Sequence, residues 1–383
     1  MKNEQILTNA RLVLADQEIT GTLVMNNGVI TEISETISTD PQAENLNGHY
    51  LVPGLVELHT DNQEKYFTPR PKVDWPAEMA MMTHDAQLVA AGITTVFDSV
   101  ALGDVIGDST RVEKLEAMVA AIVESEQAGR NRVQHLLHLR CEVSFPGLMD
   151  FFERFIDTPG VGLVSVMDHA PGQRQFPAEN IQKYRDYYQG KYSLKDEQMD
   201  VFIVEQQANS AEFADRFRRT ICAACDERGI ALASHDDATL AHAEESASFN
   251  MKVAEFPTTI EAAQASHRLG LKVLMGAPNV VRGGSHSGNV AAHALARLGC
   301  LDILSSDYYP SSLLQAAFKV AQLDNGYDLP QAIALVTANP AQAAGLDDRG
   351  TLAVGKRADL VEVKPDTALP LVERVWCAGK RVF

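Results

Sequence analysis

The sequence predicts an α/β fold, a (β/α)8 barrel with a small β-sandwich domain built from both chain ends. Three observations lead there. Between residues 51 and 345, eight apolar β-type runs alternate with helix-like segments, as a parallel sheet requires. Residues 1–50 and 346–383 hold short β-type runs without helical periodicity. No GxGxxG phosphate turn follows any run, which argues against a doubly wound open sheet. The expected division is therefore 1–50 and 346–383 for the sheet domain and 51–345 for the barrel.

Taken in order, the chain begins with runs at Gln5–Ala15, Gly21–Met25 and Val29–Ile33, the last two separated by Asn26-Asn27-Gly28. Asn-Gly between alternating runs is a hairpin signal. The barrel opens with the apolar Leu51–Val56, entered through Pro53-Gly54. Further strands are expected at Ile93–Asp98, His135–Ser144, Gly162–His169, Ile230–Asp236, Lys252–Thr258, Leu271–Asn279 and Ile303–Tyr308. Helical segments between them include Val112–Gln127, Glu212–Arg228, Ile260–Leu269 and Val290–Leu298. Pro171–Asp200 is polar, aromatic and longer than an ordinary βα loop, which makes it a candidate lid. The closing runs are Thr351–Val354, Asp359–Val363 and Val372–Phe383, with Ala378-Gly379-Lys380 as a turn.

A formal net charge of −18 argues against a general nucleic-acid or anionic-membrane partner, because such binders carry basic surface. No run of apolar residues is long enough to span a bilayer, and MKNEQILTNA has no apolar core of a signal peptide. Five irregularly spaced cysteines do not form a disulfide framework. A cytoplasmic protein is expected. Cys222 and Cys225 sit in a helical context with no second CxxC, so helix packing explains them better than redox chemistry or zinc.

The chemistry gathers at the strand ends. The first barrel strand delivers Glu57, His59 and Asp61 at alternate positions, hence on one face. The third carries Glu142 and the fourth ends in His169. The fifth ends in His235-Asp236-Asp237, and the eighth in Asp307. Singly, each has an ordinary structural explanation. Jointly they suggest a metal site, because barrel strands present their carboxyl ends to one catalytic face. His59, Asp61, Glu142, His169, His235 and Asp307 supply three imidazoles and three carboxylates, enough for two divalent ions sharing a carboxylate. The N/O donor set suits Zn²⁺ or Mn²⁺ better than Ca²⁺. Such a site activates water toward an electrophile, with Asp307 placed to accept the proton. His84, His135, His138, His242, His267 and His293 lie in expected helices or strand interiors, where core or surface roles are the expectation.

From end to end the chain resembles the amidohydrolase superfamily. The resemblance rests on LVPGLVELHTD at 51–61, ALVTANPAQAAGL at 334–346, GTLAVGKRADLVEV at 350–363 and AGKRVF at 378–383. Within the superfamily, HTDNQEKYFTPRPKVDWP at 59–76 resembles the diphosphatase branch that serves phosphonate metabolism. The resemblance implies a barrel with a β-sandwich from both ends and ligands at His59, Glu142, His235 and Asp307, with His169 beside them. The superfamily usually has HxH where this chain has HxD, a change that favours a harder ion such as Mn²⁺. The branch implies hydrolysis of a ribose 1-methylphosphonate 5-triphosphate to the 5-phosphate and pyrophosphate.

A phosphate-rich substrate needs local positive charge in so acidic a chain. Lys65, Arg70 and Lys72 supply it in the loop after the first strand, stiffened by Pro69, Pro71 and Pro76. A second candidate is Asn279–Asn289, where Gly283-Gly284 would let backbone N–H groups approach an anion and Arg282, Ser285 and His286 would add contacts. The expected partner is a small anionic phosphorylated sugar, with no nucleic acid and no membrane, and a homodimer is the expected assembly. The alternative is a C–N hydrolase, a cyclic amidase or deaminase, which the metal ligands alone do not separate from the first reading. A non-enzymatic barrel would show broken ligands, whereas His59, Asp61, Glu142, His235 and Asp307 are all present.

Overall fold

The computed structural model describes residues 4–70, 72–104, 110–285, 287–323, 326–365 and 369–383. The expected Pro71 and His286 lie outside the described residues. The chain divides into two compact units. One comprises Met1–Asp98, Ala121–Leu136 and Met275–Phe383, the other Ser99–Ala120 and Leu137–Leu274.

Both chain ends build one mixed sheet. The first end supplies β1 (Glu4–Val13), β2 (Glu18–Asn26), β3 (Val29–Ser34), β4 (Glu44–Asn45) and β5 (Tyr50–Pro53). The barrel strands follow as β6 (Leu55–Thr60), β7 (Ile93–Leu102), β8 (Gln134–Glu142), β9 (Val161–Met167), β10 (Ala231–His235), β11 (Val253–Glu255), β12 (Lys272–Gly276) and β13 (Ile303–Ser305). The second end returns β14 (Leu360–Lys364), β15 (Leu371–Cys377) and β16 (Lys380–Arg381). The end sheet has the order β16-β15-β14-β5-β1-β2-β3, with β4 beside β1. Asn27 and Gly28 both take left-handed backbone (φ 49° and 82°), the conformation a two-residue hairpin turn requires. Leu7, Leu12, Leu23, Met25, Leu51, Leu360 and Trp376 share the core of this sheet. Each such side chain contributes roughly 1.5–3 kcal/mol on burial.

The second sheet is parallel, and each strand lies beside its sequence neighbours from β6 to β13. Every residue of β6 and β7 is buried, as a parallel sheet covered on both faces requires. The sheet curls until its last strand meets its first. Thr60 bridges Asp307 in parallel, Asp61 N–H donates to the Asp307 carbonyl at 3.1 Å, and Asp307 N–H to the His59 carbonyl at 3.2 Å. This is the expected (β/α)8 barrel. Seven strands overlap their expected runs, while the opening run Leu51–Val56 is divided: Leu51–Pro53 lie in β5 of the end sheet and Leu55–Val56 open β6.

The stretch from Pro171 starts with turns and then becomes helical: Ile181–Tyr192 is followed by the 33-residue helix Asp196–Arg228. Phe176, Tyr184, Tyr188, Met199, Phe202 and Ile203 pack together and give the excursion an apolar cluster of its own. Cys222 and Cys225 lie buried in the long helix, where burial pushes each thiol up to about 12. Among the described residues no helix is long and apolar enough to cross a membrane.

Gly54 joins β5 of the end sheet to β6 of the barrel. Its N–H donates to the Asp359 carbonyl at 2.8 Å. A Cβ there would come within 2.9 Å of the Asp359 Cβ and closer still to the Thr94 side chain. Overpacking of this kind costs about 1–3 kcal/mol. Gly54→Ala should lower the unfolding free energy by that amount, read as a lower urea midpoint at unchanged m-value, and a midpoint equal to wild type would show that the junction relaxes freely.

Candidate functional site

In the first unit, β6 and β13 together build one group of ligand atoms. His59 is the fifth residue of the six-residue β6 and is buried, while Asp61 follows the strand end. Asp307 stands two residues past β13 with φ 57°, a left-handed conformation that aspartate tolerates better than most residues. Ligand atoms of His59, Asp61 and Asp307 all lie within 4.8 Å of one another. The seam holding them is itself polar. Glu57, fully buried on β6, accepts from His59 N–H at 2.8 Å, Ser305 Oγ at 2.7 Å and Ser306 N–H at 2.6 Å. Burial pushes the Glu57 carboxyl above its ordinary range, against the pull of those hydrogen bonds. Glu57 thus fixes the strand ends that carry His59 and Asp307.

In the second unit, His169 and His235 face one carboxylate. Their Nε2 atoms each lie 3.6 Å from Asp236 Oδ2. Two donors about 2.0–2.1 Å from a tetrahedral ion stand roughly 3.3 Å apart, so this spacing fits a cation. The far side of each ring is held. His169 Nδ1 meets Glu142 Oε2 at 2.6 Å, and His235 Nδ1 meets Glu255 Oε2 at 3.2 Å. Carboxylates on Nδ1 orient an imidazole and leave Nε2 for a metal. Glu142 is fully engaged, since its Oε1 accepts from Ser144 Oγ at 2.7 Å and from His169 N–H at 3.1 Å. Burial works to lower the His169 pKa, but Glu142 and Asp236 outweigh it and lift the value to about 10. Burial lowers that of His235. A bound cation competes with the His169 proton for the same nitrogen.

The expected substrate contacts spread more widely. Lys65, Arg70 and Lys72 are exposed beyond β6. Lys65 Nζ donates to the Tyr308 carbonyl at 3.5 Å, beside Asp307. Burial of its stem lowers the Lys65 pKa. The expectation that Gly283 and Gly284 offer N–H groups to an anion does not hold. Both N–H groups donate to the Asn279 carbonyl, at 3.1 and 2.9 Å, and close the C-terminus of the helix Ala277–Arg282. Ser285 Oγ pairs with Ser287 Oγ at 3.0 Å.

The amidohydrolase family model matches residues 78–383. The chain belongs to the amidohydrolase family. It is 55% identical over 379 residues, 99% of this chain and 100% of the relative, to the α-D-ribose 1-methylphosphonate 5-triphosphate diphosphatase of Escherichia coli strain K12. Among solved structures, 5-methylcytosine deaminase from Klebsiella pneumoniae matches with a TM-score of 0.65 at 16% identity, over 99% of this chain and 98% of that one. Dihydropyrimidinase from Brevibacillus agri matches with a TM-score of 0.62 at 12% identity, over 99% and 94% of the two chains. At such identity these two establish the fold alone.

Asp236 is named at the end of the fifth strand but not among the six candidate ligands, and Glu255, the last residue of β11, is not named. The signal for both was the rule already applied elsewhere, a carboxylate at the end of a barrel strand. Sequence reasoning also passed over a buried network in this amidohydrolase's first unit. His84 Nε2 and His135 Nδ1 each contact Asp98, both at 2.6 Å, and Asn62 Nδ2 lies 3.0 Å from His84 Nδ1. These contacts are too short for an ion to sit between, so the network is hydrogen-bonded core, in keeping with the core role expected of His84 and His135. It anchors Asn62, the neighbour of Asp61.

His135 also faces Asp85, with Nε2 and Oδ1 3.5 Å apart. Burial opposes the charge, but the two aspartates raise the His135 pKa to about 10 from an ordinary 6.5. A histidine pKa raised on folding contributes stability that is full below the unfolded value and is lost as pH rises through the folded one. Unfolding free energy should therefore fall between pH 7 and pH 10, and the fall should flatten in His135→Gln. Denaturant titrations giving a flat or rising profile over that window would contradict a charged His135.

Proposed function

We propose that this amidohydrolase is a metal-dependent diphosphatase. It hydrolyses the 5-triphosphate of α-D-ribose 1-methylphosphonate to the 5-phosphate and pyrophosphate in phosphonate catabolism. The observation that carries the reading is 55% identity over 99% of the chain to a diphosphatase of that substrate. The two ligand groups support it from the residues upward: one divalent cation at His59, Asp61 and Asp307, and a second at His169, His235 and Asp236. Zn²⁺ or Mn²⁺ suits these nitrogen and oxygen donors. When bound, such ions lower the pKa of water and stabilise charge on phosphoryl oxygens.

The chain's own residues do the rest. The Asp307 carboxylate accepts the proton of the attacking water, from a backbone position fixed by the β6–β13 seam. Glu142 and Glu255 hold the two imidazoles with Nε2 toward the cation. Lys65, beside the peptide that follows Asp307, holds a phosphate oxygen, and Arg70, Lys72, Arg282, Ser285 and His286 are the further candidates for contacts to the remaining phosphates. The reading keeps residues 1–50 and 346–383 as one domain and 51–345 as the barrel, and with them a homodimer in the cytoplasm. Its competitor is hydrolysis of a C–N bond by the same metal groups.

Purified protein restored with Mn²⁺ or Zn²⁺ should release pyrophosphate from the ribose 5-triphosphate, and chelation should abolish release until metal is returned. Asp307→Asn and His59→Ala should each lose about 10²–10⁴-fold in kcat, the usual worth of a positioned acid or base, with folded circular dichroism. Hydrolysis of a neutral cyclic amide by metal-loaded protein that leaves the triphosphate intact would decide for the competitor.

A further inference from the structure

Asp237, the residue after Asp236, has no part in the chemistry proposed above, yet three elements grip it. Ser234 Oγ on β10 donates to Asp237 Oδ2 at 2.6 Å, and Ser246 Oγ on the helix Leu240–Ser248 donates to the same oxygen at 3.0 Å. Arg174, from the segment after β9, forms an ion pair with Oδ1. Asp237, Ser234, Ser246 and Arg174 are all buried. The second arginine nitrogen meets Glu245 Oε2 at 2.9 Å, and Glu245 Oε1 takes Arg218 of the long helix at 3.2 Å. Two guanidinium groups thus face two carboxylates. The charges balance within the cluster, which makes it a clamp rather than a subsite for an anion.

What the clamp holds is a turn. Asp236 has φ 57° and Arg174 has φ 34°, both in the left-handed region where non-glycine residues are strained. Asp236 N–H donates to the Glu255 carbonyl at 2.9 Å, and the Asp237 carbonyl accepts from Thr258 N–H at 2.9 Å. The backbone is therefore pinned on either side of the Asp236–Asp237 peptide, and the Asp237 side chain fixes the rotation between. A turn relaxed to the right-handed region would swing the Asp236 carboxylate away from both imidazole Nε2 atoms.

We infer that Asp237, clamped by Arg174, Ser234 and Ser246, is a positioning residue that holds Asp236 in register with His169 and His235 for a divalent cation. The inference rests on the metal reading of that group. Co²⁺ titration of the metal-free full-length protein, followed by visible absorption and by competition with a chelator, tests it. Asp237→Asn and Arg174→Met should each weaken one Co²⁺ site by about 10–100-fold, the usual effect of removing an outer partner of a metal ligand, and should alter its absorption band. Arg174→Lys should recover part of the loss, and the milder Ser246→Ala decides the matter if Asp237→Asn fails to fold. Variants that melt earlier but bind Co²⁺ with wild-type affinity and spectrum would overturn the inference while leaving the metal reading intact, provided His235→Ala loses one ion. Wild-type protein that binds no Co²⁺, or His235→Ala that binds as wild type does, would overturn both.

Discussion

The seam between β6 and β13 is the contact on which this chain's chemistry depends. The two strands lie about two hundred and fifty residues apart in sequence, and Ser305 reaches Glu57 across a separation of 248. Contacts so remote form only after the intervening strands are ordered, because the entropy of loop closure must be met first. Thr60 Oγ1 donates to the Asp307 carbonyl at 2.8 Å, and the backbone N–H groups of Asp61 and Asp307 pair across the same seam. Closure of the sheet and assembly of the His59, Asp61 and Asp307 group are consequently one event. A buried glutamate at the joint carries a desolvation cost, which its hydrogen bonds offset. In return Glu57 reads both strand ends at once, something an apolar residue there would not do.

The barrel was legible because its signal is repetitive. Eight apolar runs separated by helical stretches have few alternative packings, and Ile93, Leu271 and Ile303 each fall at or beside a strand start. The candidate ligand positions His59, His169, His235 and Asp307 could be named for a related reason, since strand ends have an address in a barrel before any coordinates exist. What the sequence hid was orientation. Nothing in CEVSF says that Glu142 turns both oxygens toward His169 and Ser144, so that Asp236 rather than Glu142 faces the imidazole Nε2 atoms. Likewise GG at 283–284 reads equally as an anion cradle or a helix stop, and only the Asn279 carbonyl, which takes both N–H groups, separates them. Of the histidines set aside for core or surface roles, His84 and His135 are core, joined to Asp98 and Asp85 in a polar network rather than by apolar packing.

Electrostatics explains why both groups suit a cation. Asp61 and Asp307 approach within 4.8 Å in a chain of net charge −18. Like charges at that range destabilise the ionised forms, and a divalent ion between them turns repulsion into attraction. In the second unit the proton on His169 does part of that work, held between Glu142 and Asp236. A ligand that binds only the folded state stabilises it by mass action. A metal bound at these groups would therefore be linked to the fold through the turns at Asp236 and Asp307, both of which take left-handed backbone.

The same logic limits how far metal ligands define a reaction. A deaminase and a dihydropyrimidinase share this fold at 16% and 12% identity, and the water-activating groups suit attack on carbon as well as phosphorus. The distinction must come from how the leaving group's charge is met. Expelling pyrophosphate from a triphosphate leaves several anionic oxygens to be held, so preorganised cationic donors have to stand beside the ligands. On the proposed reading Lys65 is the candidate for that role. Its ammonium lies 3.5 Å from the Tyr308 carbonyl, next to the seam, and partial burial lowers its pKa. Arg282 lies at a helix C-terminus, where the last carbonyls present the negative end of the dipole, so a phosphate contact there would rest on its side chain alone. On the proposed reading, phosphate discrimination on this barrel would weigh on the loop after β6, the same strand that delivers His59 and Asp61.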